Sequence, residues 1–147
     1  MLTHRHANGM LHAHPLTAQN KSMDDGASLY FFISRKSELG KALQADGSVN
    51  VSFADTGKDC YVSLSGKASL SQDAGKKHDL FNRIVKAWFP GGEADPDLGL
   101  LEVQVAHAEF WDVKENKMVQ LLKMAKAAIT GKPPADMGEH KEMTLHD

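Results

Sequence analysis

The chain has little to staple, anchor or strongly charge it. A single cysteine, Cys60, among 147 residues leaves no internal disulfide and fits a reducing compartment. No apolar run approaches the roughly 20 residues that a membrane-spanning helix needs, so no membrane span is expected. His4, Arg5 and His6 interrupt the first ten residues, which lack the apolar stretch of a signal peptide; a cytoplasmic location is expected. Charge leans neither way, with 17 Lys and Arg against 19 Asp and Glu. The basic face that duplex nucleic acid demands is therefore missing, and no nucleic-acid partner is expected. Repeats and low-complexity stretches are absent too. What remains is 41% hydrophobic and 24% charged, the ordinary balance of a soluble globular domain. Such a chain suffices for one domain burying roughly 70% of its unfolded surface.

Local patterns give the order of elements. Two extended segments, residues 1–6 and 10–17, flank Ala7-Asn8-Gly9, and Asn-Gly between extended runs is a strong hairpin signal. Pro15 lacks a backbone donor and belongs at a sheet edge. Leu29-Tyr30-Phe31-Phe32-Ile33 is unbroken and apolar, the pattern of a strand covered on both faces; a partner subunit or a ligand is expected over the second face. Ser37 caps a helix with Glu38 in its first turn. Val49, Val51 and Phe53 alternate with polar residues, as do Tyr61, Ser63 and Ser65 with Val62 and Leu64, giving two more strands. Ser71 and Asp73 open a single helix through Leu80, Phe81, Ile84, Val85 and Trp88, stopped by Phe89-Pro90-Gly91-Gly92. Residues 101–105 and 108–112 read as two further strands, and 118–130 as a last helix. Six or seven short strands with helices at the connections point to a small α+β barrel. Phe31, Phe32 and Phe53 are read as core, Trp88 and Phe89 as a helix-end anchor, and Cys60 as structural.

Four histidines, His4, His6, His12 and His14, flank the hairpin, and imidazole is the commonest transition-metal ligand. His4 and His6 share one face, and so do His12 and His14, because side chains repeat every two residues. A three-residue loop at Ala7-Asn8-Gly9 pairs His6 with Met10 and points all four one way. A loop of two or four residues shifts the register by one and sends the pairs to opposite faces. The second outcome has two turns in its favour and the first has one, so solvated or flavin-adjacent histidines are the preferred reading over a metal or haem site.

The series Val49-Asn50-Val51-Ser52-Phe53-Ala54-Asp55, Tyr61-Val62-Ser63-Leu64-Ser65-Gly66, Ala87-Trp88-Phe89-Pro90-Gly91-Gly92 and Ala108-Glu109-Phe110-Trp111-Asp112 resembles the bacterial general stress protein family. That family belongs to the pyridoxamine 5'-phosphate oxidase-like, FMN-binding split-barrel group. The resemblance runs from Met1 to about Lys132. It implies a mainly β, six-stranded antiparallel split barrel over residues 1–132, a homodimer, and flavin sites at the subunit interface. Residues 133–147 are left as a tail, flexible or docked on the partner. Members of the family usually carry a helix before the first strand, whereas this chain opens on the strand.

Carried over residue by residue, the resemblance assigns flavin contacts to His14-Pro15-Leu16, where the family has an Arg-Pro-Met-like segment. It assigns further contacts to Phe32, Ile33 and Ser34 at the end of the third strand. Ser37-Glu38-Leu39 stands where two cations usually clamp the FMN phosphate, and both are missing here. A hydrogen bond to a charged group contributes about 1.5–3 kcal/mol. Two missing ones weaken binding by about 3–6 kcal/mol, roughly a hundred- to ten-thousandfold. Arg35, Lys36 and above all Lys41 are the candidate replacements, together with the free amides of the helix N-terminus. Tyr61 stands where the oxidase branch has a flavin-contacting glutamine. Trp111 matches a tryptophan that reaches the flavin from the partner subunit, and its role divides between that contact and dimer packing.

Beyond that motif the oxidase branch reads Arg-Leu-His-Asp-Arg, against Lys117-Met118-Val119-Gln120-Leu121 here, so true pyridoxamine 5'-phosphate oxidase activity is not expected. No residue stands out as an acid, base or nucleophile. The first reading is a flavin-binding stress protein, with FMN as cofactor (FAD and deazaflavin remaining open) and an oxidoreductase of unknown substrate if it turns over. The second is a cofactor-free dimeric binding module, and the third the histidine-based metal or haem binder.

Overall fold

The computed structural model describes residues 1–21, 27–112 and 139–144. Strands β1 (Leu2–Arg5) and β2 (Leu11–His14) form the opening hairpin. They are followed by β3 (Ser28–Ser34), helix α1 (Glu38–Ala45), and β4 (Ser48–Asp55) with β5 (Cys60–Leu70). Helices α2 (Ala74–Leu80) and α3 (Arg83–Trp88), β6 (Leu98–Asp112) and β7 (Glu139–Thr144) complete the described chain. All pairings are antiparallel, in the order β2-β1-β4-β5-β6-β3, with β7 also on β6. This is a mainly β half-barrel of the split-barrel type, with three helices at its connections among the described residues. The helix expected at 118–130 lies outside the described residues. Part of the expected tail, 139–144, is a strand against β6 of its own chain.

The hairpin takes the three-residue turn. The amide of His6 donates to the carbonyl of Met10, and Gly9 donates back to His6 with a φ of 84°, a left-handed position that glycine fills without steric cost. His4 therefore faces His12 and Leu2 faces His14, and all four imidazoles share one face. The preferred reading of the sequence, in which the pairs point apart, is overturned by this turn.

Leu2, Leu29, Phe31, Ile33, Leu39, Leu43, Val49, Val51, Leu101, Val103 and Val105 fill the barrel interior. Ser37 caps α1 as its sequence position implies, its hydroxyl accepting from the Gly40 amide at 3.0 Å. Behind β3 a second cluster joins Tyr30, Leu100 and Leu80 with Phe32. The Phe81 ring meets Phe32 edge-on with centroids 6.2 Å apart, and the Lys76 ammonium lies 4.8 Å from the Tyr30 ring centre. The second face of β3 is thus covered in part by α2 and its C-cap within the same chain, while Phe32 and Ile33 also line an open cleft.

Three further expectations are corrected. The single helix after Asp73 is two, because Asn82 breaks it and caps α3, accepting from the amides of Ile84 and Val85. The two strands expected at 101–112 are one 15-residue strand that bends where its pairing with β5 shifts between Ser65 and Gly66. A Cβ on Gly66 would stand 2.1 Å from the Gln104 carbonyl oxygen, so only glycine admits that close approach. Phe53, at the outer end of β4, is 41% exposed rather than core.

Candidate functional site

A cleft of about 860 Å³ opens at the junction of the β2 end, the β3 end, the head of α1, and α3 with the loop that follows it. His14, Pro15, Leu16, Phe32, Ile33, Ser34 and Ser37 all line it. Two remote sequence segments thus converge because β3 hands directly into the Ser37 cap while the chain beyond β2 passes alongside. Lys41, Tyr61 and Trp111 do not line this cleft. Tyr61 and Trp111 instead face one another across β5 and β6. The hydroxyl-rich face of β5 is engaged internally, since the Asn50 amide donates to Ser63 and Ser65 at 2.8 and 3.1 Å.

Four contributors to the cleft escaped the sequence reading. Ile84 and Trp88, one turn apart on α3, are 74% and 80% exposed and stand at its wall rather than in a core. Asp95 and Asp97 bring carboxylates from the loop before β6. The Ser34 hydroxyl donates to Asp97 Oδ2 at 2.6 Å, and the Lys36 amide donates to Oδ1 at 3.0 Å. These bonds, that of Ser34 first, hold the Asp97 carboxyl below the usual carboxylate range. Their sequence signal was slight: an aspartate just before a strand, 63 residues from its serine.

The histidine face borders the same corner. His4 is 1% exposed, and burial, reinforced by its imidazole neighbours, lowers its pKa. His4 Nε2 lies 3.0 Å from His14 Nε2. The His6 and His12 rings stack with centroids 4.5 Å apart at 11°. Both turn Nδ1 toward Glu38 Oε1, at 2.7 and 3.2 Å. Glu38, the anion standing where a phosphate clamp was expected, is therefore held by imidazoles of the hairpin. Cys60 is inert by its surroundings: burial first, then the Asp112 carboxylate at 3.5 Å, raises its pKa.

Among the described residues no helix is long and apolar enough to cross a membrane. Residues 1–135 match the pyridoxamine 5'-phosphate oxidase-like family. The chain is 29% identical over 116 residues to protein bli-3 of Neurospora crassa, covering 74% of this chain and 56% of that protein. It thus spans little more than half of that relative's length. Among solved structures, a protein of Jannaschia sp. CCS1 described as a general stress protein 26 superposes with a TM-score of 0.69 at 28% identity, over 98% of this chain and 88% of that one. A general stress FMN/FAD binding protein of Xanthomonas citri superposes with a TM-score of 0.67 at 34% identity, over 80% of each chain. A half-barrel with this strand order, matched in sequence across nearly its whole length, belongs to the pyridoxamine 5'-phosphate oxidase-like family, among the general stress proteins.

Proposed function

We propose that the chain binds a flavin by its ring system in the cleft beside β3. The observation that carries this reading is the cleft itself. Pro15, Leu16, Phe32 and Ile33 on one side, with Ile84, Trp88 and Phe89 on the other, give apolar walls around about 860 Å³. That lies within the roughly 300–1,000 Å³ of small-molecule sites. The FMN/FAD binding described for the Xanthomonas citri relative supports the same reading. When bound, a flavin supplies redox chemistry of its own, and the protein's part is binding and orientation. Here His14 and the Ser34 and Ser37 region border the cleft as its polar end.

The ring end fits a flavin, and the phosphate end of this protomer does not. Ser34 already donates to Asp97, and Ser37 is committed to the α1 cap. Glu38, Asp95 and Asp97 add three carboxylates to the lining, which among the described residues includes neither lysine nor arginine. A dianion brought to this end meets three carboxylates and, among the described lining residues, no lysine or arginine. We therefore place the affinity in the ring, and place the cleft between two copies of the chain, the exposed Ile84 and Trp88 wall being the side for a second copy to close. The substrate of any flavin-dependent turnover is a small molecule admitted to the same cleft.

Titration of the protein with FMN and with riboflavin, followed by the shift of the visible flavin bands, tests the reading. The expected result is a saturable shift with both ligands. No spectral change at tens of micromolar protein overturns it. Sedimentation of the liganded protein as a monomer removes the two-copy placement and leaves the ring site standing.

A further inference from the structure

The hairpin histidines do something that neither the fold nor the flavin reading requires. They come from β1, β2 and the loop between them, and they meet a carboxylate from the first turn of α1. His6 Nδ1, His12 Nδ1 and Glu38 Oε1 all lie within 4.8 Å of one another. The contact of His6 Nδ1 with Glu38 Oε1, at 2.7 Å, does not have the geometry of a hydrogen bond, and this buried nitrogen has no other partner among the described residues. Two imidazole nitrogens and one carboxylate oxygen thus converge from three elements on a single point, the N, N, O donor set that a transition-metal ion takes.

We propose that His6, His12 and Glu38 form a binding site for a divalent transition-metal ion of the zinc class. Imidazole and carboxylate ligands bind zinc at about 2.0–2.2 Å. Around a tetrahedral ion with such bonds, ligand atoms stand roughly 3.4 Å apart, and around an octahedral one roughly 2.9 Å. The observed 2.7 and 3.2 Å separations lie on either side of the octahedral value and within about 0.7 Å of the tetrahedral one, so small side-chain adjustments complete the site. Nitrogen ligands select zinc, copper or nickel over calcium and magnesium, which take oxygen. Behind the two ligands sits the buried His4, hydrogen-bonded to His14 at 3.0 Å and edge-on to both His6 and His12. It fixes the placement of the ligand rings as a supporting shell. Three protein ligands leave a coordination position for water, and because Glu38 also lines the cleft, the ion would sit at its rim.

The test uses the full chain, purified without an affinity tag and stripped of metal. Zn²⁺ is titrated against a chromophoric chelator, and Co²⁺ binding is followed by its visible absorption. The expected result is one ion per chain with micromolar or tighter affinity. His12→Ala and Glu38→Gln should each weaken Zn²⁺ binding by about a hundredfold or more, since even outer-shell losses cost about 10–100-fold. His78→Ala and the tail variant His140→Ala/His146→Ala should leave it unchanged. Both His12 and Glu38 are partly exposed, so their replacement leaves the core intact, and circular dichroism checks folding. Absence of micromolar binding overturns the proposal, as does binding that survives His6→Ala/His12→Ala or that disappears with the tail histidines.

Discussion

Replacing Glu38 by lysine should convert a flavin site that ignores the phosphate into one that reads it. In the native chain the end of the cleft near α1 presents Glu38, Asp95 and Asp97 and, among the described residues, no lysine or arginine, and both nearby serine hydroxyls are spoken for. Removing the phosphate from the ligand should then change little, so riboflavin and FMN are expected to bind within about fivefold of each other, under 1 kcal/mol. A two-cation clamp would instead favour FMN by about 3–6 kcal/mol. Glu38→Lys removes one anion and supplies one charge-assisted contact, worth about 1.5–3 kcal/mol. The FMN-to-riboflavin affinity ratio should rise about 10- to 150-fold. A cation in the first turn of α1 opposes the helix dipole by about 0.3–1 kcal/mol, a cost that falls on stability and cancels in the ratio of the two ligands.

Parallel titrations of FMN and riboflavin, by absorbance and by quenching of flavin fluorescence, read that ratio for each protein. The reasoning fails if the native chain already prefers FMN a hundredfold or more, because a phosphate clamp must then exist outside the cleft lining. It fails equally if Glu38→Lys binds both ligands and leaves the ratio unmoved, because the phosphate then does not reach α1.

Other consequences are simpler to check. Gly66→Ala forces a methyl group to within 2.1 Å of the Gln104 carbonyl oxygen and should cost about 3 kcal/mol, read from the urea midpoint. Trp88→Ala, at an 80% exposed position, should change stability by less than about 0.5 kcal/mol while weakening flavin binding; an unchanged flavin affinity would remove α3 from the site. Asp97 gives a pH dependence of known sign. Its carboxyl is held below the ordinary 3.8 by the Ser34 hydroxyl and then the Lys36 amide, so the unfolded chain takes up the proton first. Its stabilising effect is therefore complete above that value and is lost as pH falls through the lower folded value. The stability difference between native protein and Asp97→Asn should shrink as pH is lowered below 3.8, and a difference independent of pH there would contradict the assignment.

How much of this was legible in the sequence differs by residue. The Ser37 cap, the alternation in β4 and β5 and the apolar run of β3 each have a direct physical cause in local sequence, and each stands in the structure. An apolar run says that both faces of a strand are covered without saying by what. Helix α2, Ala-Gly-Lys-Lys-His-Asp-Leu, offers one conspicuous apolar residue, Leu80, and covers Tyr30 partly with Lys76. A lysine reaching over an aromatic ring counts as polar in any hydropathy pattern, so this part of the cover was not visible and a partner subunit or a ligand was expected for all of it. Asn82 carried the signal for the break between α2 and α3, as a capping residue inside an apparently continuous helical stripe. Ser34 and Asp97 lie far apart in the chain, and nothing local to either announces the other.

The hairpin shows why the candidate site was harder to read than the fold. Its existence follows from Asn8-Gly9, but the side on which His12 and His14 emerge depends on the parity of the loop, and a change of one residue reverses it. Gly9 settles that parity, since glycine at the third loop position, with φ of 84°, is what a three-residue hairpin with a bulge requires. Once that turn is fixed, the histidines and Glu38 cease to be separate curiosities. The same carboxylate that stands in the proposed flavin site where a phosphate clamp was expected faces two imidazoles at 2.7 and 3.2 Å. Glu38→Gln therefore separates the two roles. It should weaken the proposed metal site by about a hundredfold or more while disturbing ring binding little, because the ring is proposed to lie against Phe32, Ile33 and Trp88 of the cleft lining. If Glu38→Gln instead abolished riboflavin binding and left Zn²⁺ affinity intact, both assignments at this corner of the barrel would be reversed.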